Sequence, residues 1–194
     1  MYSFAKDIIL ASASPYRREL LTRLDLPFTT IPADIDEAGL PGEMPDKMAI
    51  RLATEKAWIV ARKHPEAVVI GSDQVCAADG RVLHKPLCHE KAVQQLAQFS
   101  GNVIYLHSAL CVVANGKARQ ALVTGQVRFR ELEKDEIERY LRIEKPYDCA
   151  GACKLEGLGI TLIDQIDCTD PTALMGMPLI ALSKLLRRIG IKIP

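Results

Sequence analysis

Two serines, a proline and two arginines stand together at the start of a predicted helix, in the stretch ASASPYRREL. Ser14 is suited to the N-cap and the proline after it to the first helical position. The free amides and the dipole of such a helix start favour an anion, and Ser12 adds a hydroxyl donor. Arg17 and Arg18 point about 100° apart, so one of them can reach back to that anion. A capped surface helix with solvated arginines explains these residues equally well.

A lysine falls on the apolar face of the next predicted helix. In DKMAIRLATEKAWIVARK, Lys56 shares three-and-four spacing with Ala49, Leu52 and Val60. A lysine in this position usually extends along the margin of the core with its amine in water. The alternative is an ammonium group that a rigid helix projects into a cleft. The spacing alone favours the first interpretation.

An aspartate interrupts an apolar strand in AVVIGSDQVCAADG. Asp73 follows the apolar run, yet the apolar pattern resumes at Val75, and the Asp-Gly turn comes only at Asp79. Aspartate is unfavourable inside a strand, whereas ligands of open α/β sheets bind where strands end. The sequence therefore favours a functional role for Asp73 over a plain turn aspartate.

Two further short motifs supply charge. DIDE (34–37) places carboxylates directly after a predicted strand, where they are either solvated or, together with Asp73, hold a hard divalent cation. In HKP (84–86) the proline restricts Lys85 to an extended backbone, which aims its side chain. No Walker A, G-x-G-x-x-G or H-E-x-x-H motif competes with this set. The phosphate-binding candidates are Ser12, Arg17, Lys56 and Lys85, and the carboxylates for a metal ion or a water are Glu37 and Asp73.

Helices and strands alternate along the chain, with one hairpin signal at Asn115-Gly116. This alternation predicts an α/β fold with a mixed rather than purely parallel sheet. The chain has no repeat and no low-complexity linker, so we expect one domain over residues 1–194. Helices are predicted over 15–23, 46–63 (with Asp46 as N-cap), 89–99, 133–143 and 178–190, and strands over 8–11, 28–37, 67–80, 103–113, 118–130 and 159–166.

The bulk composition excludes several classes of protein. With 25 basic and 24 acidic residues the formal net charge is +1, so we expect no nucleic-acid partner. The sequence has no run of about 18 apolar residues, and Lys6 and Asp7 interrupt its start, so we expect neither a membrane span nor a signal peptide. Cys149 and Cys153 lack a second ligand pair for zinc. We expect six reduced thiols in a cytoplasmic protein.

Taken together, the motifs resemble those of the Maf family of nucleotide pyrophosphatases. ILASASPYRRELL, DIDE, RLATEKA, IGSDQV and HKP stand in the order and spacing of that family, and CAGACKLEGLGITLI and DPTALMGMPL are similar to its later segments. The resemblance covers nearly the whole chain. It implies a twisted mixed sheet flanked by helices, as in inosine triphosphate pyrophosphatases, with two lobes around a deep cleft. It also implies a cytoplasmic enzyme that hydrolyses a nucleoside triphosphate to the monophosphate and pyrophosphate with Mg²⁺ or Mn²⁺.

The resemblance implies a role for each of the six candidate residues. The positions that bind phosphate in the family are matched here by Ser12, Arg17, Lys56 and Lys85. The positions that bind metal are matched by Glu37 and Asp73, and Asp73 also matches the residue taken as the proton acceptor.

Three further positions report the base preference within the family, and here they hold Tyr16, Gln74 and Glu156. The branch that acts on dTTP and UTP resembles arginine, threonine and glutamine at these places. This chain looks instead like the YceF-like branch, which acts on 7-methyl-GTP and commonly has tryptophan where Tyr16 stands. A 7-methylguanine ring is cationic, so it suits the face of an aromatic ring. Its N1–H and amino group suit a carboxylate such as Glu156.

Other interpretations stay open from the sequence. Tyr16 is equally an ordinary surface aromatic, and Glu156 an ordinary solvated acid. The same fold could act on dTTP, UTP or another modified nucleotide. It could also serve as a nucleotide-binding regulator of septum formation without significant catalysis. A small-molecule nucleotide is the expected partner, and a homodimer is possible.

Overall fold

The computed structural model describes residues 7–193. Within them, one seven-stranded sheet has the order β2-β1-β3-β5-β6-β7, and β4 pairs with β3. The strands are β1 (Ile8–Leu10), β2 (Thr29–Thr30), β3 (Val68–Ala78), β4 (Arg81–Leu83), β5 (Val103–Ala114), β6 (Lys117–Phe129) and β7 (Ile163–Asp167). The α-helices are α1 (Pro15–Thr22), α2 (Pro45–Ala61), α3 (His89–Phe99), α4 (Lys134–Glu144) and α5 (Leu179–Arg188).

The sheet is mixed, which confirms the predicted α/β class. Strand β1 pairs in parallel with β2 and β3, whereas β3, β5, β6 and β7 pair with one another in antiparallel fashion. In the register of β3 and β5, Asp73 lies opposite Ala109 and Gln74 opposite Ser108. The chemically interesting residues of β3 therefore sit well inside the sheet.

Helices cover both faces of the sheet around β1 and β3. Leu10 and Ile70 pack with α1 and α5 on one face, while Ile9 and Val69 pack with α2 on the other. A third cluster joins α3 and α4 to the far ends of β5 and β6. Alternate residues of one strand thus enter two different cores, as the strand period of two requires.

Helix α2 lies unusually close to strand β3. A Cβ atom added at Gly71 would stand 2.2 Å from the carbonyl oxygen of Ala53 and 2.7 Å from the amide nitrogen of Ala57. Only a residue without a side chain permits this contact between helix backbone and strand. The contact brings Lys56, on the same turn of the helix, over Asp73.

The prediction of a second strand over residues 28–37 is wrong for most of its length. Of residues 28–37, only Thr29–Thr30 form a strand beside β1, and the amide of Ile31 adds one further bond to the Leu10 carbonyl. Pro32 has no N–H to donate to a ladder, and Asp34 and Asp36 are exposed. The segment after Thr30 therefore runs as a loop, and its Ala33 and Glu37 line the cleft described below.

Other boundaries also differ from the sequence prediction, and the starts of α2 and β7 are the most informative. Helix α2 begins at Pro45 with Met44 as its N-cap, so Asp46 lies in the first turn instead of capping the helix. A proline suits that first position because its missing N–H needs no partner there. Strand β7 begins only at Ile163, because the preceding residues, Leu158–Leu162, form a short 3₁₀ helix.

The described residues share one continuous sheet. Division of the domain into two lobes stays a prediction. Among residues 7–193 there is no helix with the length and apolar character needed to span a membrane.

Candidate active site

A cleft of about 540 Å³ opens beside the end of β1 and the middle of β3. This volume falls in the usual range for small-molecule sites, roughly 300–1,000 Å³. All of the residues singled out in the sequence line it, namely Ser12, Tyr16, Arg17, Glu37, Lys56, Asp73, Gln74, Lys85 and Glu156.

The start of α1 faces this cleft with its cap already formed. Ser14 is the N-cap, and its hydroxyl oxygen accepts from the amide of Arg17 at 3.3 Å. The hydroxyl oxygen of Ser12 accepts from the amide of Ser14 at 3.1 Å. The backbone amides of Ser14 and Arg17, which the sequence analysis expected to face an anion, thus have partners within the turn. The hydroxyl hydrogen of Ser12 is not used by either bond.

Of the two successive arginines, Arg17 reaches the cleft. Its Nε donates to the carbonyl oxygen of Gly176 at 3.2 Å, and its Nη2 lies 3.7 Å from Oδ1 of Asp73. Arg18, one residue further along the helix, is exposed. This is the division of direction that the helical period predicts.

Lys56 is the centre of the charged cluster. Its Nζ lies 2.6 Å from Oδ1 of Asp73 and 2.5 Å from Oε1 of Glu37. Only 7% of its side chain is exposed, so the expectation of a solvated lysine at the core margin is wrong. The close contact of α2 with β3 at Gly71 places the ammonium group inside the cleft, where two carboxylates compensate the loss of hydration.

The carboxylate of Glu37 is held ionised by its neighbours. Partial burial raises the pKa of Glu37, but the hydrogen bond and charge of Lys56, with the charges of Arg17 and Lys85, lower it below its ordinary value. Lys85 itself is exposed at the rim of the cleft. Three cations therefore face two carboxylates at this end, which is called the phosphate end below.

The side-chain amide of Gln74 is held in one orientation by its hydrogen bonds. Its Nε2 donates to the hydroxyl oxygen of Ser108 at 2.9 Å and to the carbonyl oxygen of Ala173 at 2.7 Å. A longer contact of 3.3 Å joins the same Nε2 to the carbonyl oxygen of Leu174. The Ser108 hydroxyl donates in turn to Ala173 at 2.6 Å. Since these partners use the amino group, Gln74 presents its carbonyl oxygen, a hydrogen-bond acceptor, as its remaining polar atom.

A second group of lining residues, called the base end below, combines one aromatic ring with acids. Tyr16 is half-buried, and Asp148 and Glu156 are exposed. The Nζ of Lys154 lies 6.0 Å from the centroid of the Tyr16 ring and 3.5 Å from Oε1 of Glu144. Burial, with the nearby Cys149 and Asp148, raises the pKa of Tyr16 above its ordinary value. The tyrosine hydroxyl is therefore neutral.

Asp148 is a lining residue that the sequence analysis missed. It lies in the stretch PYDCAG, where an aspartate is indistinguishable from an ordinary solvated loop acid. Cys149 and Cys153 line the same wall of the cleft as free thiols. Burial and the adjacent Asp148 raise the pKa of Cys149 to about 12. These thiols are therefore protonated and unsuited to act as nucleophiles.

Two carboxylates are the candidates for holding a metal ion. Glu37 and Asp73 converge on the same Lys56 ammonium group, and carboxylate oxygens suit hard divalent cations. Across residues 7–193 no group of three or more His, Cys, Asp or Glu side chains is arranged to hold a metal. An ion at this place would need water or ligand oxygens to complete its coordination.

The fold and the site together define an α/β protein with one cleft, lined by three cations, two carboxylates and an aromatic ring. The family model described as "Maf-like protein" matches residues 7–189. The chain belongs to the Maf family.

Similar proteins extend over almost the full length of the chain. A 7-methyl-GTP pyrophosphatase from Polaromonas sp. is 51% identical and aligns with 96% of this chain and 86% of its own. The 7-methyl-GTP pyrophosphatase of Xanthomonas axonopodis pv. citri is 51% identical over 96% of this chain and 98% of its own. The solved structure of the Staphylococcus aureus Ham1 protein overlaps 65% of this chain and 73% of its own, with a TM-score of 0.47 and 15% identity.

Proposed function

We propose that this protein is a nucleoside triphosphate pyrophosphatase that converts 7-methyl-GTP to 7-methyl-GMP and pyrophosphate. The observation that carries the proposal is one cleft lined both by cations that gather around Glu37 and Asp73, namely Arg17, Lys56 and Lys85, and by Tyr16 with Glu156. Such a cleft suits a ligand that has a polyphosphate at one end and a cationic base at the other. The names of the relatives at about half identity support the same substrate.

At the phosphate end, four side chains bind the triphosphate. Arg17, Lys56 and Lys85 line the cleft together with Ser12, whose hydroxyl donates to the phosphates from the turn before α1. Arg17 is held by the Gly176 carbonyl, so its guanidinium group is in position before the ligand binds. Such preorganised cations stabilise the charge that develops during phosphoryl transfer.

The residues at this end fit a divalent cation such as Mg²⁺ or Mn²⁺. Glu37 and Asp73 would hold it, since both are carboxylates that meet at one point, and phosphate oxygens and waters would complete the shell. A bound divalent cation supplies charge neutralisation and lowers the pKa of a coordinated water. Lys56 contacts both carboxylates in the described structure, so its ammonium group must move or share them.

Asp73 is the proton acceptor in the proposed reaction. Lys56 and Arg17 both contact its Oδ1, which leaves Oδ2 to accept a hydrogen bond from water. That water attacks the α-phosphorus, its proton passes to Asp73, and the bond between the α-phosphorus and the bridging oxygen breaks. The electron pair of the broken bond leaves with pyrophosphate, whose charge Arg17 and Lys85 compensate.

At the base end, the ring of Tyr16 and the carboxylate of Glu156 recognise the methylated guanine. The cationic ring lies against the tyrosine face, and Glu156 accepts from the N1–H and amino groups. Gln74 adds an acceptor oxygen of fixed direction. Guanine offers several N–H donors to such acceptors, whereas uracil and thymine offer one.

A substrate screen tests the proposal. Purified protein is incubated with ordinary and modified nucleoside triphosphates, with and without Mg²⁺ and Mn²⁺, and pyrophosphate release is measured. We expect the highest kcat/KM with 7-methyl-GTP. Faster turnover of dTTP or UTP would assign the chain to the pyrimidine branch instead, and release of no pyrophosphate from any nucleotide would indicate a binding protein.

Glu156→Gln sharpens the specificity part of the proposal. The variant keeps the shape of the side chain but removes its charge and one acceptor. We expect kcat/KM to fall on both nucleotides, because both offer the N1–H and amino donors, and the ratio for 7-methyl-GTP over GTP to fall by about tenfold, because only the methylated base is cationic. An unchanged ratio would remove Glu156 from base recognition.

We further propose that the protein works in the cytoplasm, where free thiols stay reduced.

A further inference from the structure

One arginine ties the loop that carries Glu37 to helix α2. Arg51 forms a bidentate pair with Glu43, with Nε 2.6 Å from Oε1 and Nη2 2.8 Å from Oε2. The same Nη2 donates to the carbonyl oxygen of Ala38, the residue after Glu37, at 3.0 Å. The exposed fractions of the two side chains are only 19% for Arg51 and 10% for Glu43.

The turn before α2 is closed by the same carboxylate. The amide of Glu43 donates to the carbonyl of Leu40, and the amide of Leu40 donates to Oε2 of Glu43, each at 3.0 Å. Gly42, with φ of +73°, occupies the third position of this turn, where a positive φ is required. The turn and the helix thus form one unit through Arg51.

Glu37 depends on this unit for its position. Its own contact with the helix is the one with Lys56, and 61% of its side chain is exposed. Arg51 and Lys56 project from the same rigid helix, so the backbone at Ala38 and the carboxylate of Glu37 are held at two points of one element. Loss of the Arg51 contacts would release the loop on the C-terminal side of Glu37. This residue would then be held only from the N-terminal side, where Ala33 and Ile35 pack against the α2 core, and by the pair with Lys56.

We propose that Arg51 is a positioning residue, which acts through Glu43 and Ala38 to hold Glu37 beside Asp73. This inference rests on the proposed role of Glu37 at the phosphate end. Hydrogen bonds from Arg51 and from the Leu40 amide lower the pKa of Glu43 to about 2. The pair therefore stays charged throughout the neutral and mildly acidic range.

The test combines hydrogen exchange with a double-mutant cycle. In Arg51→Met, we expect amide exchange over residues 37–43 to rise about tenfold or more, with exchange in β3 unchanged. We expect kcat to fall about tenfold to a hundredfold. In a Glu37→Ala background the same substitution should cause no further loss, because Arg51 acts through Glu37. Arg51→Lys, which keeps the charge but loses the fork, should be intermediate.

Arg62→Met is the matched control, since Arg62 is an exposed arginine at the end of the same helix, and neither exchange nor kcat should change. If Arg51→Met fails to fold, Glu43→Gln provides the same exchange comparison. Unchanged exchange over 37–43 would overturn the proposal, as would an equal loss of kcat with and without Glu37. If no nucleotide is turned over, the proposed function fails, and the exchange comparison decides the role of Arg51 separately.

Discussion

The two ends of the cleft are built in different ways. At the phosphate end, Arg17, Lys56 and Asp73 project from two helices and a central strand, and they contact one another at 2.6–3.7 Å. At the base end, Asp148 and Glu156 lie on a segment whose regular structure is limited to short 3₁₀ turns, and both are exposed. Regular elements therefore fix the three residues of the charged cluster, whereas the two loop acids of the base end are left for the ligand to order on binding.

Asp73→Asn attacks the rigid end directly and should have the largest effect. The amide keeps the shape of the side chain but is a poor proton acceptor, so we expect kcat to fall by about 10²–10⁴-fold. Circular dichroism should show an unchanged fold. Asp79→Asn, an exposed position after the same strand, should keep native kcat. Near-native activity of Asp73→Asn would make Asp73 a structural acid.

Gly71→Ala tests whether the close contact of helix and strand sets the phosphate end. The added Cβ would stand 2.2 Å from the carbonyl of Ala53, so α2 must move away from β3. We expect the free energy of unfolding to fall by about 1–3 kcal/mol and kcat to fall as Lys56 leaves Asp73. At Gly39, an added Cβ would meet the sulfur of Met48 at an ordinary 3.7 Å. Native stability of Gly71→Ala, with Gly39→Ala as control, would contradict the rigid geometry.

Tyr16 allows the base end to be changed without affecting the phosphate end. In Tyr16→Leu, the cation–π contribution is lost, and the ratio of kcat/KM for 7-methyl-GTP over GTP should fall by about tenfold. Tyr16→Trp should raise this ratio, because the larger ring attracts a cation more strongly. Steady-state kinetics on both nucleotides provides the measurement. Parallel losses on both substrates would instead give Tyr16 a role shared by all nucleotides.

The smallest expected effect concerns the pH dependence of stability. The pKa of Glu43 is lowered from 4.5 to about 2, first by its hydrogen bonds with Arg51. A depressed pKa contributes stability above the unfolded value, and that contribution is lost as pH falls from 4.5 towards 2. Glu43→Gln should therefore flatten the decline of the unfolding midpoint over this range. An identical decline in the variant would show that other acids cause it.

The sequence predicts the phosphate end because its signals are local. The N-cap at Ser14 and the strand interrupted by Asp73 are each visible within a few residues, and the structure places both at the cleft. The state of Lys56 was not predictable in the same way. The burial of Lys56 depends on Gly71 in strand β3, which lets the backbone of α2 contact the strand. The residue spacing along α2 contains no information about that contact.

The base end is harder to predict for a different reason. Asp148 contributes a loop carboxylate of a kind found on any protein surface, so its residue type carries no signal. The partners that fix Gln74 are largely main-chain carbonyls, at Ala173 and Leu174. Such atoms occur at every position of every chain. Only the path of the backbone reveals that they point at the cleft.

The turn that contains Ala173, Leu174 and Gly176 meets the cleft through these carbonyls, which receive hydrogen bonds from Gln74 and Arg17. A substitution at position 173 or 174 changes the side chain but keeps the main-chain carbonyl oxygen. An insertion or deletion of one residue would instead shift the whole row of acceptors. The length of this turn, more than its side chains, therefore sets where these acceptors point.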